Sequence, residues 1–256
     1  MGSVITISAF GDNFIYLCRY DENNAFAVDP GDSSSVMRIL SKHGLKLTMV
    51  FATHHHWDHI GGIEGLKRKT CCQVIGGDKR RIPGIDLVVD DGQVVTVGNT
   101  KIQVIATPGH TRTSVCYYIE ASGDNKTGVV LTGDTLFVGG CGRLIECGAQ
   151  AMLDSLRKLA ALPDETLVYP GHDYTIENYE FAMTIEPGSQ AVRQRLQEVK
   201  QRLDAGEQTV PSTMLQEKTT NPFLRADTPE IKAALGMHEA RPVEAFAELR
   251  RRKNTF

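Results

Sequence analysis

The chain has 256 residues, 41% of them hydrophobic and 23% charged, which is the composition of a globular protein with a sizeable core and room for one large domain or two modest ones. Its 28 basic and 31 acidic residues leave a net charge of −3, so no global field recruits nucleic acid or an anionic membrane, and a small molecule is the expected partner of a monomer. No long apolar run and no basic segment followed by an apolar stretch is visible, so neither a membrane span nor a secretory signal is expected, and the expected compartment is the cytoplasm.

The chain opens on Met1-Gly2-Ser3-Val4-Ile5-Thr6, which fits the loose myristoylation pattern, but the strand pattern claims the same residues. Strands are expected at Val4 to Phe10, Phe14 to Arg19 and Ala25 to Val28, stopping at Asp29-Pro30-Gly31. Ser33 is expected to cap a helix that runs towards His43 and that Gly44 ends. The apolar run Leu47 to Ala52 then delivers the chain to His54. After Gly61-Gly62 a short helix reaches Lys69. Strand patterns resume at Gln73 to Ile75, Leu87 to Val89, Gln93 to Val97, Lys101 to Ala106, Val115 to Glu120 and Gly128 to Thr132.

From Ala149 the pattern turns helical. Met152, Leu156, Leu159 and Ala160 share one face of a helix that Pro163 closes, and the strand Thr166 to Tyr169 leads to Gly171-His172. Further helices are expected at Thr175 to Ile185, Gln190 to Ala205, Pro229 to Leu235 and Val243 to Arg252. The fold class is therefore α+β, with two sheets face to face and helices outside, an αββα sandwich over residues 1–172, followed by a helical domain over residues 173–256. The six cysteines Cys18, Cys71, Cys72, Cys116, Cys141 and Cys147 are scattered without metal-site or redox spacing and read as reduced thiols.

The chemistry concentrates in Thr53-His54-His55-His56-Trp57-Asp58-His59. Four of the eight histidines fall within residues 54–59, where a buried strand ends and a loop turns several side chains towards one point. Imidazole and carboxylate suit zinc, iron or manganese. Alternation points His55 away from His54 and His56, so it is left out. Three later residues follow the same logic of a side chain just past a strand: His110 in Pro108-Gly109-His110-Thr111, Asp134 in Gly133-Asp134-Thr135, and His172 in Pro170-Gly171-His172.

The ordered set T-H-x-H-x-D-H, P-G-H-T, G-D-T and G-H resembles the metallo-β-lactamase superfamily. Cys141-Gly142-Arg143, Pro170-Gly171-His172-Asp173-Tyr174-Thr175, Asn221-Pro222-Phe223-Leu224-Arg225 and the terminal Arg250 to Phe256 are similar to the glyoxalase II family, the hydroxyacylglutathione hydrolases. The likeness also takes in Ala9-Phe10 and Asp12-Asn13-Phe14-Ile15, so it runs nearly end to end. It implies one metal held by His54, His56 and His110, a second held by Asp58, His59 and His172, and Asp134 as a bridge between them. It also implies a substrate site made from Arg143, Tyr174, Asn178, Arg250 and Lys253, the last two for the glycine carboxylate of glutathione.

Seven such ligands suit two divalent ions sharing a carboxylate, zinc first and iron or manganese as alternatives, with an activated hydroxide between them as the nucleophile. The expected reaction is hydrolysis of S-D-lactoylglutathione and related 2-hydroxyacyl thioesters, with Asp58 and Asp134 as the catalytic carboxylates. With hydroxide as the nucleophile no serine or cysteine is asked for, and a thiolate leaves without a strong general acid. Without the resemblance, Arg250, Arg251, Arg252 and Lys253 read simply as cations complementing a helix C-terminus. With it, Arg250 and Lys253 lie one turn apart and can face one carboxylate.

The pattern is broken at Leu144-Ile145-Glu146-Cys147-Gly148. The family has an aromatic residue where Ile145 stands and a Gly-Thr pair where Cys147-Gly148 stand, which bears on thiol or acyl preference and leaves hydrolysis intact. The rival readings are a mononuclear iron dioxygenase acting on glutathione persulfide and a thioesterase for another thiol carrier. A lactamase is expected to carry a secretory signal, a nucleic-acid hydrolase a basic surface, and a silent binding module missing ligands. None of these features is found.

Overall fold

The computed structural model describes residues 3–121 and 127–256. Met1 and Gly2, where the acylation pattern begins, lie outside the described residues. The chain forms two compact units, one of the residues up to Ala106 with Thr113–Gly133, the other of Thr107–Arg112 with Asp134–Phe256.

The first unit opens with the antiparallel strands β1 (Val4–Ala9), β2 (Asn13–Arg19) and β3 (Asn24–Val28). Helix α1 (Ser33–His43) then returns the chain so that β4 (Lys46–Ala52) lies parallel to β3, the crossover that parallel pairing requires. The short helices α2 (Trp57–Ile60) and α3 (Ile63–Thr70) precede β5 (Gln73–Gly76) and β6 (Leu87–Val88), also parallel, and the sheet order is β1-β2-β3-β4-β5-β6. A second group of strands, β7 (Val94–Val97), β8 (Thr100–Ala106), β9 (Val115–Ile119) and β10 (Val129–Gly133), is an antiparallel meander.

Strand β2 is buried on both faces, and its alternation divides two cores. Ile15 and Leu17 join Val36, Leu40, Ile63 and Leu66 of α1 and α3 in one cluster, each side chain contributing roughly 1.5–3 kcal/mol by leaving water. Residues of opposite parity build the other core. There Phe26, Phe51 and Tyr117 make edge-to-face contacts at 5.2 and 4.9 Å, and the buried Tyr117 hydroxyl donates to the Ala52 carbonyl at 2.8 Å. A ring on β9 and a carbonyl on β4 thus join the two sheets at the end of β4.

The cap of α1 falls one residue earlier than expected. Asp32, not Ser33, is the N-cap, accepting from the backbone of Ser34 and Ser35 at 3.1 and 2.9 Å, and a carboxylate there is also favoured by the helix dipole. At the other end Gly44 takes φ +64, and Leu45 N–H closes on the Leu40 carbonyl at 2.9 Å, as a left-handed cap requires.

The second unit begins with a hairpin, β11 (Leu136–Phe137) and β12 (Gly140–Cys141). It continues through α4 (Ala149–Ala160), β13 (Leu167–Pro170), α5 (Thr175–Ile185), α6 (Gln190–Asp204) and β14 (Ser212–Thr213), which pairs antiparallel with β13. Helices α7 (Met214–Thr220), α8 (Pro229–Leu235) and α9 (Pro242–Asn254) complete it. Thr213 and Gln216 form a capping box on α7, and Thr228 caps α8 ahead of Pro229, both strong start signals. The hairpin, β14, α2 and α7 are absent from the sequence expectation, whereas the longer helices and strands match it to within a residue or two. Among the described residues, no helix is long and apolar enough to cross a membrane.

Candidate metal centre and substrate cavity

In the first unit, β4 ends in the fully buried Val50, Phe51 and Ala52, and the loop that follows is tied to Asp29. This carboxylate is 3% exposed, sits at φ +51 and accepts from Thr53 N–H at 2.7 Å and the Thr53 hydroxyl at 2.6 Å. Its Oδ2 also lies 3.1 Å from His59 Nδ1. An acceptor-only carboxylate there places the His59 proton on Nδ1 and leaves Nε2 with a lone pair. The same reasoning reaches His54. Because the Thr53 hydroxyl donates to Asp29, its oxygen accepts from His54 Nδ1 at 3.0 Å, and His54 Nε2 is left unprotonated, 3.0 Å from His56 Nδ1.

Asp58 Oδ2 lies 3.3 Å from His59 Nε2 and accepts from Asn13 Nδ2 at 2.9 Å. Gly31 allows this closeness, since a Cβ there would collide with the Asp58 carbonyl. His55 is turned to Arg81, with Nε2 3.0 Å from Nη1.

In the second unit, His110, Asp134 and His172 are brought together, all at least nine-tenths buried. The two Asp134 oxygens face different rings, Oδ2 at 3.3 Å from His110 Nε2 and Oδ1 at 3.5 Å from His172 Nε2. His110 Nδ1 donates to the Arg143 carbonyl at 2.9 Å, which again leaves Nε2 as the donor-free nitrogen. His172 stacks on Tyr174 at 5.0 Å with the rings 6° from parallel.

A cavity of about 480 Å³ in this unit is lined by His110 and Asp134 and by all five predicted substrate residues, Arg143, Tyr174, Asn178, Arg250 and Lys253. Lys253 Nζ donates to the Glu177 carbonyl at 3.2 Å and lies 4.9 Å from the centre of the Phe256 ring. Desolvation lowers its pKa, against the pull of Glu177. Arg250 is nearly buried, over the Phe223 ring, with Nη1 donating to the Cys141 carbonyl at 2.6 Å and Nε to Asn254 at 3.0 Å. Asn178 Nδ2 donates to the Val138 carbonyl at 3.0 Å. Both side chains therefore hold the hairpin as well as lining the cavity.

The broken motif leaves the local backbone intact. Glu146 N–H donates to the His110 carbonyl at 3.2 Å, and Glu146 Oε2 accepts from Arg112 N–H at 2.7 Å. The Ile145 side chain is exposed and Cys147 partly so.

His54, His59 and His110 each have one ring nitrogen anchored to a protein oxygen, so that the unprotonated other nitrogen faces His56, Asp58 or Asp134. Such lone pairs repel unless a cation lies among them, so the donor sets fit divalent metal. Sequence reasoning missed Asp29 and Thr53. Their signal was Asp29-Pro30-Gly31 at the end of a buried strand, read there only as a turn.

The sandwich and its clusters at strand ends place the chain in a class of metal-dependent folds. The model of the metallo-β-lactamase superfamily matches residues 9–172, and the model described as the hydroxyacylglutathione hydrolase C-terminus matches residues 173–256. A hydroxyacylglutathione hydrolase of Rhodospirillum rubrum is 45% identical, covering 98% of this chain and 97% of that relative. One of Methylococcus capsulatus is 43% identical, covering 100% of this chain and 99% of that relative. The crystal structure of ETHE1 from Myxococcus xanthus is 28% identical, with a TM-score of 0.66 over 99% of each chain. The chain belongs to the hydroxyacylglutathione hydrolase family of the metallo-β-lactamase superfamily.

Proposed function

We propose that the chain hydrolyses S-D-lactoylglutathione and related 2-hydroxyacylglutathione thioesters to glutathione and a 2-hydroxy acid, the second step of methylglyoxal detoxification, acting in the cytoplasm as a monomer. One observation carries this reading: a single cavity presents His110 and Asp134 together with the cations Arg143, Arg250 and Lys253, which suits a small anionic substrate with a group to be cleaved. The full-length likeness to hydroxyacylglutathione hydrolases supports it.

In this reading His54, His56 and His110 would hold one divalent ion and Asp58, His59 and His172 a second, with Asp134 also a ligand, as the family resemblance implies. Zinc is the first choice, iron or manganese the alternatives. When bound, the ions would supply an activated water and a Lewis acid for the thioester carbonyl. Asp29 and Thr53 hold the tautomers of His59 and His54, the Arg143 carbonyl does so for His110, and Asn13 orients Asp58. Lys253 and Arg250 receive a carboxylate of the thiol carrier, while Tyr174, stacked on His172, shields the reacting end from water. Residues 1–172 thus carry the chemistry, and recognition falls to Arg143 together with residues 173–256.

The test is steady-state hydrolysis of S-D-lactoylglutathione beside other thioesters, with metal analysis of the same sample. Turnover that favours the glutathione thioester, with about two ions per chain, is expected. Oxygen uptake with glutathione persulfide and no thioester hydrolysis would overturn it.

A further inference from the structure

The two-residue strands β11 and β12 span the stretch between Asp134 and Arg143, yet a lone hairpin this short has little stability of its own. Its backbone is held from outside by four side chains of the C-terminal region. Asn178 takes the Val138 carbonyl and Arg250 the Cys141 carbonyl. The other two line no part of the cavity. Glu217 Oε2, on α7, accepts from Gly139 N–H at 2.9 Å. Asn221, which ends α7, places Nδ2 at 3.3 Å from the Phe137 carbonyl, 3.0 Å from the Gly140 carbonyl and 3.0 Å from Glu217 Oε2.

Both side chains are fully buried, and burying a carboxyl group is costly unless its hydrogen bonds are made. Burial raises the pKa of Glu217, while hydrogen bonds from the Ser212 hydroxyl, Gly139 and Asn221 and the charge of Arg195 oppose that rise. An apolar side chain would fill the same space without that cost, so the acid is explained by what it holds. It holds the turn at Gly139, where φ is +70. At the far end of the hairpin Gly142 packs so closely that a Cβ would collide with the Asp134 carbonyl. A shift of the hairpin therefore moves Arg143 and presses on Asp134.

We propose that Glu217 and Asn221 are positioning residues that hold the β11–β12 hairpin so that Arg143 meets the substrate. The proposal rests on the hydrolase reading above and adds to it two residues outside the cavity. Glu217→Leu is expected to raise KM for S-D-lactoylglutathione about tenfold with a much smaller change in kcat. Glu217→Gln is expected to restore KM, since its amide oxygen can still accept from Gly139 and Asn221 while its NH₂ can donate to the Ser212 hydroxyl oxygen, which now serves the other carboxylate oxygen. In an Arg143→Ala background, Glu217→Leu should add little further increase, because the two changes remove one interaction.

Equal KM increases in both backgrounds, or a loss of thermal stability with KM unchanged, would overturn the proposal. Hydrogen exchange of the wild-type protein gives a reading that needs no variant: the Gly139 amide should be protected like a strand of the core, and exchange at the rate of an open turn would also overturn it. If the wild-type protein hydrolyses no glutathione thioester, the functional reading fails, whereas the exchange measurement still decides the brace.

Discussion

At position 29 one buried carboxylate accepts from three donors, and the protonation of two imidazoles follows from it. Asp29→Asn separates this role from mere packing, because asparagine tolerates the left-handed backbone at φ +51 and keeps one oxygen for Thr53 N–H. Its NH₂ would then meet the Thr53 hydroxyl and His59 Nδ1–H, donor against donor. The expected outcome is a folded protein whose metal affinity falls roughly 10–100-fold, read by competition against a chromophoric chelator. Metal retention equal to wild type would show that the His59 ring is oriented elsewhere. Four of the seven predicted ligands, His54, His56, Asp58 and His59, stood out because they crowd into one short segment. Asp29 did not, because what defines it is a set of partners some 24 to 30 positions along the chain, and a single chain without contacts shows only Asp-Pro-Gly.

Elements were legible in proportion to their length. Helices α1 and α4 repeat their burial pattern over enough residues for the period to show, and β2 shows as a seven-residue run buried almost throughout, whereas β11, β12 and β14 have two residues each, too few for any pattern. Those short strands exist because of side chains far along the chain, such as Asn221 on the Gly140 carbonyl. The misplaced cap of α1 is a local matter and can be tested locally. Hydrogen bonds from Ser35 and Ser34 hold the Asp32 carboxyl down to about 2, from an ordinary value of 3.8. A lowered folded-state pKa means that the ionised cap stabilises the protein in full above pH 3.8 and loses that contribution as the pH falls towards about 2. Asp32→Ala is therefore expected to cost about 1 kcal/mol at neutral pH, with the gap to wild type closing across that acid window. Urea unfolding at a series of pH values measures it. An equal gap at every pH would mean that the carboxylate charge contributes nothing to the cap.

For the whole molecule, composition excluded partners more readily than it named one, since a net charge of −3 spread over 256 residues says only that no large field acts. It did carry one chemical statement that the fold refines: six cysteines and no pairing among them. Four are buried, with only Cys71 exposed and Cys147 partly so. Burial raises the thiol pKa far above its ordinary value at Cys18, raises it at Cys72, and takes Cys141 to about 11 in spite of Arg250 beside it. Since the thiolate is the reactive form, a native sample treated with a disulfide reagent at neutral pH should titrate Cys71 rapidly and Cys147 more slowly. The other four should react only as the protein unfolds. After denaturation without any reductant the count should reach all six. A count of four would mean that two thiols had already been oxidised to a disulfide, and rapid reaction of all six in the native state would mean that the sandwich opens far more readily than its buried core implies.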